Sequence, residues 1–316
     1  MTGLDVLFLT NPEISYHEDL LHEGLDQLLG PEHVFCYPYK GYEKFQYNLY
    51  VDPGDPPPPH RPPVDLDDVL RRRESFQAVI VGSIRPETVS LWREIQDAFT
   101  HCPVALLHGE EREGWPTGVR STHRFKMQMR PAEKSPDLFP LPLCVSPRVM
   151  LPVETERDIP VSFVVRPTVE LRLWCAELLR RQGYTVLVGA DIPREQFCWI
   201  LNRSKIAVSV RGVAWDTFRY WEIPYQGALL LSERLPILIP DNFVDGESAV
   251  FFDGPKDMLD KIEALLGDED RLNRIAENGR RLARQKHTSL ARARYVLEHL
   301  GLAPPSPKNS AKASRT

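Results

Sequence analysis

Short apolar runs alternate with stretches of helical period along the first hundred residues. The apolar runs, which predict strands, cover residues 5–10, 33–37, 78–82 and 104–107, and helices are predicted at 17–29 and 87–99. Strands that alternate with helices in this way are typical of a parallel sheet covered by helices on its faces. The first half of the chain is therefore predicted to be a doubly wound α/β unit.

The same alternation restarts after a proline-rich passage at residues 131–160. Strands are predicted at 161–165, 184–188, 205–210, 228–231 and 249–252, and the segment 217–226 is predicted to be a helix that Gly227 ends. The sequence thus predicts two Rossmann-like domains, at 1–152 and 153–302, and a disordered tail at 303–316. A cleft between two such domains is a usual place for a small ligand.

The composition of the chain is that of a globular protein and does not indicate a particular function. The chain has 316 residues, of which 42% are hydrophobic and 26% are charged, and its net charge is -5. These values are ordinary for a globular protein and give no reason to expect a nucleic-acid partner. The sequence shows no secretory leader and no apolar run of the roughly 20 residues that cross a bilayer, so a cytoplasmic protein is expected. Five scattered cysteines argue against a disulfide framework or a zinc site.

The charged residues with the most functional information follow the predicted strand at 205–210. Arg211, Asp216, Arg219 and Glu222 stand there, and in parallel α/β sheets ligands bind beyond the carboxyl ends of the strands. Arginines at this place offer fixed positive charge to an anionic ligand. The alternative is that each arginine pairs with Asp216 or Glu222 in a purely structural network.

Several segments of the second half carry a family resemblance. They are DTFRYWE at 216–222, GALLL at 227–231, FVDGESAVFF at 243–252, NG at 278–279 and HT at 287–288. In order and spacing, residues 160–300 resemble the C-terminal half of the group 1 glycosyltransferases, most closely the CgeB-like, spore-protein type. The resemblance implies the GT-B fold, in which two Rossmann-like domains face each other across a cleft. It also implies that the second domain holds most of a nucleoside diphosphate sugar.

The resemblance assigns roles to individual positions. Glu222 matches a glutamate that accepts hydrogen bonds from the ribose hydroxyls of the nucleotide, and a carboxylate has the acceptor sites for such a diol. Arg219, together with Arg211 or Arg166, is expected to stabilise the departing diphosphate, and Asp216 joins Arg219 as a candidate catalytic residue. The resemblance also places Thr217 beside the donor.

Two further features of the second half bear on the donor. Gly246, Glu247 and Ser248 resemble a family loop near the nucleotide, although an ordinary turn before a strand explains them equally well. Trp215 stands where many group 1 enzymes have a second glutamate that helps to hold the transferred sugar. Arg166 follows the first strand of the second domain, and a plain solvent-facing arginine is the alternative there.

The first domain offers weaker candidates. His108 follows the strand at 104–107 and is a candidate base or orienting group, although a hydrogen-bonded loop histidine is the more common explanation. Asn11 follows the first strand and either lines the cleft or makes a turn. Asp65 and Asp67 have an Asp-x-Asp spacing, but acidic residues also favour the start of a helix, so no metal is expected.

The combined prediction is a metal-independent glycosyltransferase. It would move a sugar from a nucleoside diphosphate sugar, its co-substrate, to an unidentified acceptor, with retention at the anomeric carbon. Two alternatives remain open at this point: a nucleotide-sugar-binding or scaffold protein without catalysis, suggested by Trp215, and an epimerase that acts on the sugar nucleotide itself.

Overall fold

The computed structural model describes residues 3–13, 15–40, 64–110, 114–150, 155–189 and 192–303. Apart from Ala303, the tail predicted at 303–316 lies outside these ranges. The described chain folds into two α/β units, and each unit is built on a parallel sheet.

The first unit contains six strands and three α-helices within the described ranges. The strands are β1 (Val6–Leu9), β2 (Val34–Tyr37), β3 (Ala78–Val81), β4 (Val104–His108), β5 (His123–Lys126) and β6 (Leu138–Pro140). The helices are α1 (Tyr16–Leu29), α2 (Leu66–Arg71) and α3 (Pro86–Ile95). The strand order is β2-β1-β3-β4-β5-β6. Strands β1, β3 and β4 are buried along their whole length, as expected for a parallel sheet covered on both faces.

The second unit contains five strands, in the order β11-β10-β9-β7-β8. The strands are β7 (Ile159–Val165), β8 (Thr185–Val188), β9 (Ser204–Ser209), β10 (Leu229–Glu233) and β11 (Val250–Phe252). The helices of this half of the chain are α4 (Glu170–Arg181), α5 (Arg194–Arg203), α6 (Phe218–Gln226), α7 (Pro255–Leu266), α8 (Glu269–Lys286) and α9 (Ser289–His299). Gly227 ends α6 with a φ of 86°, which a residue without a Cβ adopts most easily.

Each sheet has a point at which the strand order reverses. The reversal falls between β1 and β3 in the first sheet and between β7 and β9 in the second. Loops that leave these two neighbouring strands diverge, and the crevice between them is where open α/β sheets bind ligands. The topology therefore provides one such crevice in each unit.

The structure confirms the predicted alternation and adds elements that the sequence pattern did not reveal. Strands β5 and β6 were not predicted, because β5 (HRFK) has a single apolar residue and β6 has only three residues. Helix α7 was also not predicted. The proline-rich passage at 131–160 thus holds the last strand of the first sheet before the chain crosses to the second unit.

Helix α9 packs against the first unit although it follows the second in sequence. Val296 and Leu297 share a hydrophobic core with Phe8 and Leu25. The helix approaches α1 closely at Gly24, where an added Cβ would lie 2.0 Å from a backbone oxygen of Ser289. The division into domains 1–152 and 153–302 stays a prediction; α9 falls in the second of these ranges but packs against the first unit.

A short segment at residues 141–146, here called the linker, is held by both halves of the chain. The ring nitrogen Nε2 of His17 lies 2.6 Å from the oxygen of Leu141, and Arg292 of α9 donates to the carbonyls of Pro142 and Leu143 at 3.2 Å. Val145 donates its backbone N–H to the His287 carbonyl at 2.9 Å. The linker is therefore bonded to α1, to α9 and to the residue that follows α8.

Candidate functional site

The two units contact each other where α1 and α6 begin. The ring of Tyr16 contacts the ring of Phe218 edge to face, with 5.4 Å between the centroids. The backbone N–H of Trp215 donates to Oε1 of Gln128 at 2.8 Å, and Gln128 follows β5 of the first unit. The first turn of α6, which carries the predicted catalytic residue Arg219, therefore lies beside the first unit.

Four arginines gather at the carboxyl edge of the second sheet and are here called the arginine cluster. Arg166 directly follows β7, Arg172 lies in the first turn of α4, Arg194 begins α5, and Arg219 lies in the first turn of α6. The like charges of Arg166 and Arg194 act on Arg219, and the charge of Arg219 acts in turn on Arg172. The arginine cluster thus concentrates positive charge beside the crevice.

Glu222 lies inside the arginine cluster and is 5% exposed. Its Oε1 accepts a hydrogen bond from Nη1 of Arg194 at 2.7 Å. The same Arg194 nitrogen lies 3.4 Å from the sulfur of Met150, and the guanidinium carbon lies 5.5 Å from the centre of the Phe197 ring. The structural alternative paired Glu222 with Arg211 or Arg219 of its own segment, whereas this hydrogen bond comes from an arginine of a different helix.

The side chain of Arg219 is anchored to strand β7 of the second sheet. Its Nε donates to the carbonyl oxygen of Val164, near the end of β7, and its guanidinium lies over the Phe197 ring at 5.8 Å. Burial lowers the pKa of Arg219, Glu222 raises it, and the neighbouring cations lower it again. A guanidinium stays protonated at neutral pH under these conditions, so Arg219 contributes a fixed positive charge.

Arg172 ties together the two strands at the reversal point. Its Nε and Nη2 donate to the carbonyl of Val210 after β9 at 3.1 and 2.9 Å. Its Nη1 donates to the Arg166 carbonyl and to the Thr168 hydroxyl, both at 3.0 Å. Burial, followed by the charge of Arg219, lowers its pKa to about 10, so Arg172 is charged at neutral pH.

Sequence reasoning missed Arg172 and Arg194, although the chain carries a signal for both. Each lies in the first turn of a helix, where the helix dipole disfavours cations. An arginine in this position indicates that a nearby hydrogen-bond or ion-pair partner offsets the unfavourable interaction with the helix dipole. Here these partners are the strand-end carbonyls for Arg172 and the Glu222 carboxylate for Arg194.

Arg211 has a different partner from those considered in the sequence. Its Nε lies 3.6 Å from Oε2 of Glu233, and its backbone N–H donates to the other oxygen of that carboxylate. Its guanidinium also covers the ring of Trp215 at 4.3 Å. The tryptophan that stands in place of a glutamate therefore provides a cation–π contact for Arg211. A contact of Arg211 with a ligand stays a prediction.

Asp216 links the second unit to the linker. Its Oδ2 accepts from the backbone N–H of Leu143 at 2.6 Å, and its Oδ1 accepts from the indole of Trp221 at 2.8 Å. Burial raises the pKa of Asp216 to about 6, and these two bonds lower it. Both oxygens thus have structural partners, and the catalytic role of Asp216 stays a prediction. Thr217 precedes α6 as its N-cap, but its side chain makes no capping bond.

The loop with Gly246, Glu247 and Ser248 forms a turn that packs on α8. Gly246 has a φ of 75° and donates to the Ala249 carbonyl at 2.8 Å. The hydroxyl of Ser248 accepts from the Val244 N–H at 2.8 Å, and the Glu247 carbonyl accepts from Asn278 at 2.9 Å. These contacts fit the alternative of an ordinary turn before β11, and a nucleotide contact stays a prediction.

His108 is buried at the end of β4. Its Nε2 lies 3.1 Å from the carbonyl oxygen of Gly114, and its ring meets Trp115 edge to face at 5.0 Å. This geometry fits the alternative of a hydrogen-bonded loop histidine, and the role of His108 as a base stays a prediction.

A buried polar group that the sequence did not reveal lies at the carboxyl edge of the first sheet. Oε1 of Glu18 accepts from the backbone N–H of Asn11 at 2.9 Å, and Nζ of Lys40 lies 3.6 Å from the same oxygen. Oε2 of Glu18 is buried and has no hydrogen-bond partner among the described residues. Burial raises the pKa of Glu18 to about 8, although Lys40 lowers it. Asn11 also donates to the hydroxyl of Thr88 at 3.4 Å, so it belongs to this buried group.

The acidic pair at Asp65 and Asp67 lies at the start of α2. The side chain of Asp65 accepts from the backbone N–H of Asp68 at 2.7 Å, which makes it the N-cap of that helix. Within the described ranges, no group of three histidine, cysteine or acidic side chains has the arrangement to hold a metal ion. No helix in the described part of the chain is long and apolar enough to cross a membrane.

Comparison with known proteins relates part of the chain to a sequence family and its fold to solved structures. Residues 160–298 match the family described as glycosyl transferase-like. No curated protein sequence matches the chain. The described chain has the GT-B fold, with two units that are each built on a parallel sheet, as predicted. The CgeB-like subtype stays a prediction.

Three solved structures illustrate the shared fold. HepE from Anabaena, in complex with UDP, is 11% identical, with a TM-score of 0.58 over 94% of this chain and 100% of its own. An alpha-glucosyltransferase in complex with UDP-glucose and DNA containing an abasic site is 10% identical, with a TM-score of 0.60 over 94% and 99%. Sucrose-phosphate synthase from Thermosynechococcus elongatus is 11% identical, with a TM-score of 0.54 over 93% and 98%.

Proposed function

We propose that this protein is a glycosyltransferase that binds a nucleoside diphosphate sugar at the carboxyl edge of its second sheet. The observation that carries the proposal is the arginine cluster around Glu222, which lies within the residues that match the glycosyl transferase-like family. UDP-glucose is the first donor to test, because UDP or UDP-glucose is bound in two of the structures that share the fold.

The charge of the site suits a diphosphate. The cations of the arginine cluster outnumber the carboxylates that face them, which are those of Glu222 and Glu233. When a sugar leaves a nucleoside diphosphate, negative charge grows on the phosphate oxygens, and positive groups that are already in place stabilise it without rearrangement. Arg219 and Arg172 are fixed by carbonyls of the sheet ends, so their positions are set before a ligand arrives.

Glu222 is suited to the ribose of the same donor. An ionised carboxylate accepts several hydrogen bonds and can hold two neighbouring hydroxyls, as the family resemblance implies. Arg194 engages one of its oxygens at 2.7 Å, which compensates the buried negative charge. The base and ribose would then lie over α6 and the diphosphate over the ends of β7 and β9.

In the transfer step, an acceptor hydroxyl would bond to the anomeric carbon while the bond from that carbon to the diphosphate oxygen breaks. The proton of the hydroxyl would pass to the departing diphosphate. The family resemblance implies that the configuration at the anomeric carbon is retained, so the acceptor would approach from the side on which the diphosphate leaves. The acceptor would dock on the first unit, across the cleft marked by the contact of Tyr16 with Phe218. The arginine cluster supplies positive charge at the diphosphate, so we propose that no metal ion is required.

Calorimetric titration of UDP and UDP-glucose tests the donor site. Glu222→Ala should weaken UDP binding by about 1.5 to 3 kcal/mol, the scale of hydrogen bonds to a charged group. The matched control is Glu177→Ala, which removes an exposed glutamate of α4 that pairs with Arg181 on the same helix. Equal affinity in wild type and Glu222→Ala would remove Glu222 from the site.

Turnover separates catalysis from the alternatives that the sequence left open. Release of UDP from UDP-glucose, with glucose passed to an acceptor or to water, is the outcome expected for a transferase. Tight binding of UDP-glucose without its consumption across a broad acceptor panel would favour a binding or scaffold protein. Conversion of UDP-glucose to an isomer of equal mass without an acceptor would indicate an epimerase.

A further inference from the structure

The carboxylate of Glu222 is oriented by a residue from outside its own helix. Arg194 begins α5, and Glu222 lies 28 positions later on α6. Both side chains are largely buried, with 18% of Arg194 and 6% of Glu222 exposed. A single charge-assisted bond of 2.7 Å joins Nη1 of Arg194 to Oε1 of Glu222.

Arg194 is itself held on two sides. Its Nη1 also contacts the sulfur of the buried Met150, which follows the linker, and its guanidinium lies beside the ring of Phe197. A guanidinium is planar and its donors point in fixed directions, so an arginine that is held in this way binds Oε1 of Glu222 from a fixed direction and limits how the carboxylate can turn. The remaining acceptor sites of Glu222 then have a defined direction.

We propose that Arg194 is a positioning residue that sets the preference of the site for ribose over deoxyribose. This inference rests on the proposed function, because it takes Glu222 to accept hydrogen bonds from the ribose hydroxyls. Arg194 engages Oε1 and directs the other acceptor sites of the carboxylate toward the neighbouring 2′ and 3′ hydroxyls. A nucleotide that lacks the 2′ hydroxyl leaves one of these sites unpaired in a nearly buried position, which weakens its binding.

A role in positioning predicts an effect that general electrostatics does not. Arg166, Arg172 and Arg219 stand in the same arginine cluster, so the loss of one positive charge weakens the binding of any nucleoside diphosphate. Such a loss affects UDP and 2′-deoxy-UDP equally, because both carry the same diphosphate. The loss of an oriented carboxylate affects UDP more, because only UDP has both hydroxyls.

The test is the ratio of the dissociation constants of 2′-deoxy-UDP and UDP, measured by calorimetry. We expect a ratio of about 10 to 150 for the wild type, the value for one hydrogen bond to a charged group, and a ratio near 1 for Arg194→Ala. Arg194→Lys keeps the charge but not the planar fork, and its ratio should fall between these values. Arg194→Gln keeps a side chain of similar length, so it maintains the measurement if the alanine variant folds poorly.

Arg203→Ala is the matched control, because Arg203 ends the same helix and pairs with Asp158 at the opposite edge of the sheet. Its ratio should equal that of the wild type. Equal weakening of both nucleotides by Arg194→Ala, or no weakening of either, would overturn the positioning role while leaving the proposed function intact. A wild-type ratio near 1 would instead contradict the contact between Glu222 and ribose, on which both proposals depend.

Discussion

The carboxyl edges of the two sheets have the same topology and opposite chemistry. Each lies where the strand order reverses, so each has a crevice between two diverging loops. At the second sheet the arginine cluster surrounds Glu222, and Arg166 reaches the surface. At the first sheet, Lys40 lies within ion-pair distance of the buried carboxyls of Glu18 and Asp19.

The strand order thus gives each sheet a crevice, and the charge of the side chains around the crevice determines which kind of ligand it suits. Burial raises the pKa of Glu18 to about 8, so much of it is uncharged at neutral pH. An uncharged carboxyl with neighbouring amide and hydroxyl groups suits a polar neutral partner, whereas the arginine cluster suits an anion. The comparison supports the proposal that the donor binds to the second unit and the acceptor to the first.

The largest effect is expected from Arg219→Ala. Loss of a fixed positive group beside the developing charge should lower the turnover of UDP-glucose by about 100- to 1000-fold, while UDP binding weakens much less. Steady-state rates of UDP release, compared with calorimetric affinities, measure both quantities. Equal losses in rate and affinity would show that Arg219 acts as a ground-state anchor only.

Arg172→Ala should destabilise the second unit. Its removal leaves the buried carbonyl of Val210 without two hydrogen bonds, and we expect the free energy of unfolding to fall by about 2 to 3 kcal/mol. Urea denaturation measures this change. Arg181→Ala, on the same helix but exposed and paired only with Glu177, should change stability by less than about 0.5 kcal/mol. Equal changes in the two variants would contradict the role of Arg172 at the reversal point.

Glu18→Gln tests the chemistry of the first sheet through pH. The pKa of Glu18 is about 8 in the fold and 4.5 for a glutamate in the unfolded chain, so the folded state holds the proton more tightly than the unfolded state. The resulting stability is fully present below pH 4.5 and is lost as the pH rises through 8. The free energy of unfolding of the wild type should therefore fall more between pH 6 and pH 9 than that of Glu18→Gln.

The exposed Glu156 provides the control for this measurement, because Glu156→Gln should follow the wild type across the pH range. Parallel curves for the wild type and Glu18→Gln would show that the Glu18 carboxyl keeps no extra proton in the fold. The contrast between the two sheet edges would then lose its electrostatic basis.

The smallest effect concerns salt. Raising NaCl from about 0.05 to 0.5 M should weaken UDP binding by a few-fold, because screening acts on the exposed part of the arginine cluster and much less on its buried part. Uridine, which carries no phosphate, should bind equally at both salt concentrations. An equal salt dependence for UDP and uridine would mean that the diphosphate does not contact the arginine cluster.

The sequence alone predicted the features that depend on local patterns. Buried strands such as β1 and β4 are short apolar runs, and Gly227 marks the end of α6, since such signals arise within a few neighbouring residues. The family resemblance pointed to Glu222 and Arg219, and the structure places both in the arginine cluster. Strands β5 and β6 were not predicted, because β5 has a single apolar residue and β6 is only three residues long.

Tertiary structure decided which side chains meet. Asp216 pairs with a backbone group 73 positions away, Arg172 with a carbonyl 38 positions away, and Arg194 with a carboxylate 28 positions away. No periodicity encodes such partners, because strand order and helix packing bring them together only after the chain has folded. The sequence determined the elements and the type of charge at their ends, and the fold determined that arginines gather at one sheet edge while carboxyl groups are buried at the other.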